Sequence, residues 1–430
     1  MADTSRRVAV VEGLRTPFSK AWTEYNHLSA LDLSRRVVQE LLERTELDHD
    51  ALDEVIWGAV IPPTYTPNIA REVVLSLALP ARIPGFSLGR ACTSSFQSVT
   101  SGVESILAGT HEVVIAGGAE SLSHIPIQYS ERMVDSLLAF RKARSVQGRV
   151  KALSRINPAK DLLPRVPELA EQATGLTMGQ HAEDMARKWG ITRKEQDEFA
   201  VRSHHLAAAA LADGRLTKEF AAVFAPPDAH PVFTDNGVRA DANMEAMSKL
   251  KPSFDKKYGT LTPGNSSPLT DGASAVLLMS EEKAKALGYK PKAFIKAWAY
   301  AALDPNQGLL MGPAYAVPKV LDRAGLTLKD MDLVDMHEAF AAQVLCNLRA
   351  FESEEFAKEN LGRDKPIGAL DMNRFNVAGG SIAIGHPFGA TGGRMITTMA
   401  NELQRRNGKY ALLTACAAGA MGGALILERN

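Results

Sequence analysis

The chain has 430 residues with 49 Lys and Arg against 49 Asp and Glu, so its formal net charge is zero, and that balance argues against a nucleic-acid binder. The composition, 45% apolar and 23% charged, is that of a globular protein able to bury a large core, and three cysteines do not suit a disulfide framework. The thiols read as free, in a reducing compartment, which places the protein in the cytoplasm.

In chain order, the opening MADTSRRVAVVEG sets Asp3, Arg6, Arg7 and Glu12 around an apolar run too short for a signal-peptide core, and it reads as a first strand. No stretch approaches the ~20 apolar residues of a membrane span. Residues 37–58 can be laid on residues 316–337 at a constant offset of 279, with Val38 on Val317, Leu42 on Leu321, Leu47 on Leu326 and Asp53 on Asp332. Each copy reads as an amphipathic helix, a turn carrying Asp and a buried strand. Two generic units can match by chance, but this likeness continues. After Cys92, a helical run with Val99, Val103 and Ile106 leads to the strand EVVIAGG; after His386, one with Met395, Ile396, Met399 and Leu403 leads to YALLTAC. The chain therefore reads as two α/β halves of similar topology, with Cys92 and His386 each just ahead of a helix.

Residues 121–250 break the pattern. A basic stretch, 131–165, holds nine Lys and Arg against three Asp and Glu, followed by prolines up to 167 and by the helical runs MGQHAEDMARKWG and KEQDEFAVRSHHLAAAALADG. This is read as a helical insertion carried by the first half. Within it Met133, Val134, Leu137 and Leu138 share one helical face beside the charge, which suits a partner or an anionic surface, a solvated face being the plain alternative. The GNSS loop and the buried strand ASAVLLM then resume the first half.

Four residues carry candidate chemistry. Cys92, in GRACTSSFQSV, stands at a strand-to-helix junction where the helix dipole and free N–H groups are expected to lower its pKa and favour the thiolate; a structural cysteine is the alternative. His386, in GGSIAIGHPFGATGGR, is fixed at a tight turn before a helix and could act as base for a thiol of the other half. Cys416 ends a buried strand, where core packing is the competing reading. His337 ends the repeat strand, with Glu338 placed to orient it or the pair placed to cap a helix. No C-x-x-C or H-x-x-x-H pair supports zinc, and no metal is expected.

Together with LRTPF, AGGAES, MGQHAED, KEQDEFAVRSH, GTLTPGNSSPLTDGASAVLLMSEEKA and HEAFAAQ, these segments give the chain its resemblance to the thiolases over nearly its whole length. Within that family it looks most like the thiolase subunit of the fatty-acid β-oxidation trifunctional complexes, because HEAF replaces the more usual NEAF and the terminal motif begins CAAG.

The resemblance implies a thiolase-like α/β fold: two similar halves in α-β-α-β-α layers, the first spanning 1–120 and 251–285, the second 286–430, with an inserted loop domain at 121–250. It implies a 3-ketoacyl-CoA thiolase in which Cys92 is the nucleophile, His386 its base and Cys416 the separate acid/base. His386 and a water held by His337 would stabilise the enolate oxygen, and the backbone N–H groups of Cys92 and Ala418 the tetrahedral intermediate. Ala418 stands where many thiolases have glycine, and Pro263 where many have alanine. CoA is expected as substrate, with no permanently bound cofactor. Ser267 would contact pantetheine, and Met178 and His181 would lie near the acyl end. A homodimer or dimer of dimers, a hydratase/dehydrogenase alpha subunit, and peripheral membrane contact through 131–165 are the expected partners, the basic segment facing alternatively the CoA phosphates. An acetoacetyl-CoA (biosynthetic) thiolase is the close alternative. Cys416 speaks against a ketoacyl-ACP synthase, and the presence of Cys92, His386 and Cys416 against an inactive scaffold or lipid-carrier subunit.

Overall fold

The computed structural model describes residues 6–163 and 170–430. Asp3, Pro164, Arg165 and Pro167 lie outside them. The main strands of the first half are β1 (Val8–Arg15), β2 (Glu54–Gly58), β3 (Gly85–Leu88), β4 (Val113–Glu120) and β5 (Thr270–Ser280). Those of the second are β6 (Ala293–Ala302), β7 (Leu333–Met336), β8 (Tyr410–Ala417) and β9 (Met421–Glu428). They hydrogen-bond in the order β7-β8-β9-β6-β1-β5-β4-β2-β3. Read outward from the centre, β1-β5-β4-β2 mirrors β6-β9-β8-β7. The senses match too, since the first two pairings of each series are antiparallel and the last is parallel. A short ladder, Ala9 opposite Phe294 and Val10 opposite Ala293, joins the halves.

The repeat extends to local chemistry. Helix α1 (Ala30–Thr45) starts in a capping box of Ser29 and Asp32 and ends at Glu46 with φ 49°. Among the other helices used below are α2 (Ser94–Leu107), α3 (Arg193–Ala212), α4 (Gly312–Ala324), α5 (Ala341–Glu352) and α6 (Thr391–Arg406). The counterpart of α1 is α4, which ends at Gly325 with φ 66°, the position that the sequence repeat sets on Glu46. Asp53 accepts the N–H groups of Glu112 and Val113 at 2.7 and 2.9 Å, and Asp332 those of Lys409 and Tyr410 at 2.7 and 3.0 Å. Each repeated aspartate thus pins the start of the strand beside it.

Strand alternation explains the layers. In β4, Val113, Ile115 and Ala119 face the cluster containing Val37, Val38 and Leu41 of α1, whereas Val114 and Ala116 face a central cluster. That central layer is built by α2 and α6, one from each half, through Phe96, Val99, Val103, Ile396, Met399 and Leu403. Helix α4 covers the second half from outside with Val317, Val320 and Leu321. The sequence is helix, sheet, helix pair, sheet, helix.

Between β4 and β5 the chain leaves the sheet through helices Glu131–Lys142, Val146–Leu153, Met178–Lys188 and α3, and through a ribbon of Val223–Ala225 with His230–Val232. Arg15, in the LRTPF motif, fastens this excursion to the sheet: its guanidinium lies 2.7 and 2.8 Å from the two Asp235 oxygens and 3.4 Å from Glu219, all of them buried. Thr398 of α6 bonds the same Glu219 at 2.9 Å. Arg15→Met would leave two buried carboxylates without their cation. A loss of about 3–5 kcal/mol in urea unfolding is expected; a loss below about 1 kcal/mol would show that the ion pair does not hold the insertion in place. No helix among the described residues is long and apolar enough to cross a membrane.

Candidate active site

Cys92 follows β3 in a turn closed by Ala91 at φ 44° and by the Arg90 N–H donating to Ser94 Oγ at 2.8 Å. The turn lies so close to β2 that a Cβ on Gly58 would come within 2.8 Å of the Ser94 carbonyl carbon. Thr93, at the cap of α2, makes no side-chain cap bond there; its hydroxyl donates back to the Arg90 carbonyl at 2.8 Å. Helix α6 crosses at the same end, with the Gly393 N–H donating to Ser95 Oγ at 2.9 Å. A Cβ on Gly392 would fall 2.8 Å from the Phe96 nitrogen, so small residues permit the crossing. The start of one half's helix, with its thiol, is thereby set against the start of the other's, with its imidazole.

His386 follows Gly385, whose φ of 107° excludes most side chains. The His386 N–H donates to Thr270 Oγ1 at 3.1 Å, and Nδ1 lies 2.7 Å from Thr391 Oγ1. When the Thr391 hydroxyl donates to the Pro387 carbonyl at 3.3 Å, its oxygen accepts from a protonated Nδ1, the tautomer that leaves Nε2 as a free lone pair. His337 follows β7, its Nδ1 2.9 Å from Ser381 Oγ. The two rings lie 4.0 Å apart between centroids, and both Nε2 atoms are buried without a hydrogen-bond partner. One nitrogen of each ring and the Cys92 sulfur lie within 4.8 Å of one another. Such a donor set is close enough to hold a transition-metal ion, but it equally suits a thiol facing two neutral bases. Burial, aided by Arg394, pushes His386 down to about 3, and burial, His386 and Arg394 hold His337 well below the usual imidazole range.

The thiol departs from expectation. Burial pushes Cys92 up to about 11, and the opposing N–H groups of Ala418 and of Cys92 itself do not outweigh it. A helix N-terminus lowers a thiol pKa where water still reaches the sulfur; here desolvation dominates and the resting group is SH. Those two N–H groups are the pair expected as an oxyanion hole. Cys416 sits in β8 opposite Gly422, fully enclosed, its pKa raised by burial and then by Cys92, which places the two thiols within electrostatic reach. In the turn that follows, positive φ is carried by Gly419 and Ala420 and not by Ala418, so a methyl at 418 is tolerated and its N–H is kept.

The descriptions "Thiolase, N-terminal domain" and "Thiolase, C-terminal domain" match residues 8–282 and 289–429. The chain belongs to the thiolase family. A 3-ketoacyl-CoA thiolase of Photobacterium profundum is 50% identical over 422 residues, 98% of this chain and 97% of that one, and one of Yersinia enterocolitica is similar to the same degree. Among solved structures, human mitochondrial 3-ketoacyl-CoA thiolase in complex with CoA matches with a TM-score of 0.83 at 32% identity over 99% of this chain and 98% of that one. Bacillus anthracis acetyl-CoA acetyltransferase matches with a TM-score of 0.84 at 31% identity, covering 98% of each.

In this thiolase Glu338 makes no bond to His337 and instead serves, among other partners, the first turn of the short helix Ser381–Ile384. Its carboxylate accepts from Ser203 Oγ at 2.6 Å, Asn376 Nδ2 at 2.7 Å and the Ile382 N–H at 3.2 Å, bracing α3 against the loop before His386, while Phe340 precedes α5. Ser381, unmarked in the sequence reading, is the residue that holds His337. Ser267 is half-buried, its N–H donating to the Ala339 carbonyl at 3.0 Å. Beside its loop opens a cavity of about 220 Å³ bordered by Lys20, His204, Arg239, Pro263, Gly264 and Pro268. Lys20 and Arg239 lie 219 positions apart in sequence, so no local motif announces them. Met178 packs on the apolar cluster that includes Phe340 and Cys416. His181 is not brought to the thiol–imidazole cluster; its Nε2 lies 2.7 Å from Thr174 Oγ1 on the wall of a second cavity.

Proposed function

We propose that this thiolase is a 3-ketoacyl-CoA thiolase, an acetyl-CoA C-acyltransferase of fatty-acid β-oxidation that cleaves 3-oxoacyl-CoA with CoA to acetyl-CoA and an acyl-CoA two carbons shorter. The observation that carries it is the convergence of the Cys92 thiol, two unpartnered imidazole nitrogens and a second thiol, Cys416. His386 Nε2 takes the Cys92 proton as sulfur bonds to C3 of the substrate. The backbone N–H groups of Cys92 and Ala418 receive the resulting oxyanion. The C2–C3 bond then breaks, the electron pair leaves as the acetyl-CoA enolate beside the two imidazoles, and Cys416 protonates it. In the second half-reaction the Cys416 thiolate takes the proton of an incoming CoA thiol, that sulfur collects the acyl group, and Cys92 regains its proton from His386. The second half-reaction exchanges one thioester for another and so lies near balance.

CoA enters as a substrate. We assign its pantetheine to the Ser267 loop with Met178 toward the acyl end, and its phosphates to Lys20 and Arg239 at the adjoining cavity rather than to the segment 131–165. We keep the division at 120, 250 and 285 as part of the proposal: β4 ends at Glu120, and the chain returns to the sheet at Thr270, inside the span 251–285. Thiolysis with CoA over 3-ketoacyl-CoA substrates of increasing chain length tests the reading. Cleavage of substrates longer than acetoacetyl-CoA supports it, activity confined to acetoacetyl-CoA supports the biosynthetic alternative, and cleavage of none overturns both.

A homodimer is the assembly we favour. β3 pairs on one side only, and Phe86 on it is 39% exposed, an open strand edge suited to a second copy. The insertion offers a different surface. Val134, Leu137, Leu138, Val146 and Val150 are exposed on its first two helices among Arg141, Lys142, Arg144 and Arg149. That combination suits an acidic alpha subunit or anionic lipid. Glutamine at the four basic positions should weaken docking several-fold, more at low salt, and leave thiolysis of short substrates unchanged. A rise in KM for CoA with docking unaltered would return the patch to the cofactor.

A further inference from the structure

The AGGAES motif ends β4 with Glu120, a fully buried carboxylate that the reaction scheme does not use. Its hydrogen-bond partners are backbone groups from both halves. Oε1 accepts from Ile61 at 2.9 Å, and Oε2 from Val60 at 3.0 Å and from Gly389 at 3.1 Å. Val60 and Ile61 follow β2, in the half that carries Cys92. Gly389 belongs to the turn that follows His386 in the other half. The backbones meet here with nothing between them: a Cβ on Gly118 would lie 2.1 Å from the Gly389 oxygen, and one on Gly389 2.6 Å from the Gly58 oxygen. The carboxylate is therefore a side-chain clamp at the seam where the base must be aligned with the nucleophile.

We propose that Glu120 is a positioning residue that holds the His386 turn against the Cys92-bearing half, fixing the approach of imidazole to thiol. This rests on the thiolase mechanism given above. An ionised carboxylate accepts all three N–H bonds; a protonated one turns one oxygen into a donor with no acceptor provided among these partners. Burial pushes Glu120 up to about 7, against the three N–H bonds and with Asp271 adding to the rise. The ionisable groups that face it are few. Asp271 stands on β5, itself held by the Ser123 N–H at 2.9 Å, and Cys92 stands ahead of α2 with its pKa raised in part by Glu120. The clamped turn brings His386, neutral down to about pH 3, and the segment after β2 brings only Val60 and Ile61. The expected signature of this clamp is a loss of activity on acidification through about pH 7, where Glu120 takes up a proton and His386 stays neutral.

The test compares full-length wild type, Glu120→Gln and Glu120→Asp in thiolysis from pH 5.5 to 9. Wild-type kcat/KM should fall below about pH 7. Glu120→Gln should lose on the order of 100-fold in kcat, the effect of about 1 Å of misplacement, with KM for CoA within about twofold and the acid limb gone. Glu120→Asp keeps the charge but is one methylene short, so kcat should fall while an acid limb persists; it also serves where the glutamine variant folds poorly. Glu120→Gln with wild-type kcat and an unmoved acid limb overturns the proposal. Absence of thiolysis in the wild type overturns instead the reaction on which it rests.

Discussion

Cys92→Ser is expected to lower kcat for thiolysis by roughly ten-thousand-fold or more, the scale seen when the nucleophile of a covalent mechanism is removed. In the resting protein the thiol is already held at about 11 and His386 at about 3, so proton transfer between them is uphill until substrate is bound and the N–H groups of Cys92 and Ala418 take up the developing charge. A serine hydroxyl is a far weaker acid than a thiol, and this imidazole has no reserve of basicity with which to ionise it. The substitution is nearly isosteric at a half-buried residue, so the melting temperature and the affinity for CoA should change little. Retained turnover above about 1% of wild type would remove Cys92 from the role of nucleophile. The native thiol supplies an independent check. Its alkylation by iodoacetamide should rise about tenfold per pH unit between pH 7 and 10, because the reactive thiolate is a growing minority throughout that range. Acyl-CoA should protect it. Cys346, with no exposed surface and pushed up to about 12, should remain unlabelled. A rate already level below pH 8 would mean that the helix N-terminus, rather than burial, governs the resting thiol.

That reversal marks the boundary of what the sequence discloses. The repeat was legible because its unit is local: the apolar spacing of α1 and α4, the turn aspartates Asp53 and Asp332 and the strands behind them are each set within about twenty residues. Cys92 and His386 were legible for a similar reason, each lying in a segment whose small residues signal a tight turn before a helix. The depth of their enclosure was not, since it arises where α2 and α6 cross and no pattern along either helix encodes the water excluded there. Glu338 shows the same limit. Adjacency to His337 in sequence suggests that it orients the ring, yet residues 337 and 338 diverge as β7 ends, and its carboxylate turns to Ser203 and Asn376. The groups that hold the two imidazoles are hydroxyls, Ser381 and Thr391, which sequence alone does not distinguish from other polar residues in a glycine-rich loop.

Cys416→Ala should separate the two halves of the chemistry. Cys416 is 1% exposed and its pKa is raised by burial and by Cys92, so in the resting site it is a protonated thiol near Cys92, the state that the proposed donation to an enolate requires. Its removal leaves Cys92, both imidazoles and the Ala418 N–H in place. Acylation of Cys92 by a reactive simple thioester needs no enolate protonation and should proceed at close to the wild-type rate, giving a stoichiometric acyl-enzyme visible as a mass increase on the peptide containing Cys92. Return of the acyl group to CoA requires the proton of the CoA thiol to be taken up, and cleavage of a 3-ketoacyl substrate requires a proton to be delivered to C2. Both should slow by about 100- to 10,000-fold, the range for loss of a general acid or base. The pattern to be measured is thus a full acylation burst followed by a stalled enzyme. The deletion of one small buried sulfur should cost only modest stability, so a thermal melt controls for unfolding. A folded variant that forms no acyl-enzyme would mean that Cys416 is needed to create the nucleophile, and its assignment as a separate acid/base would fall.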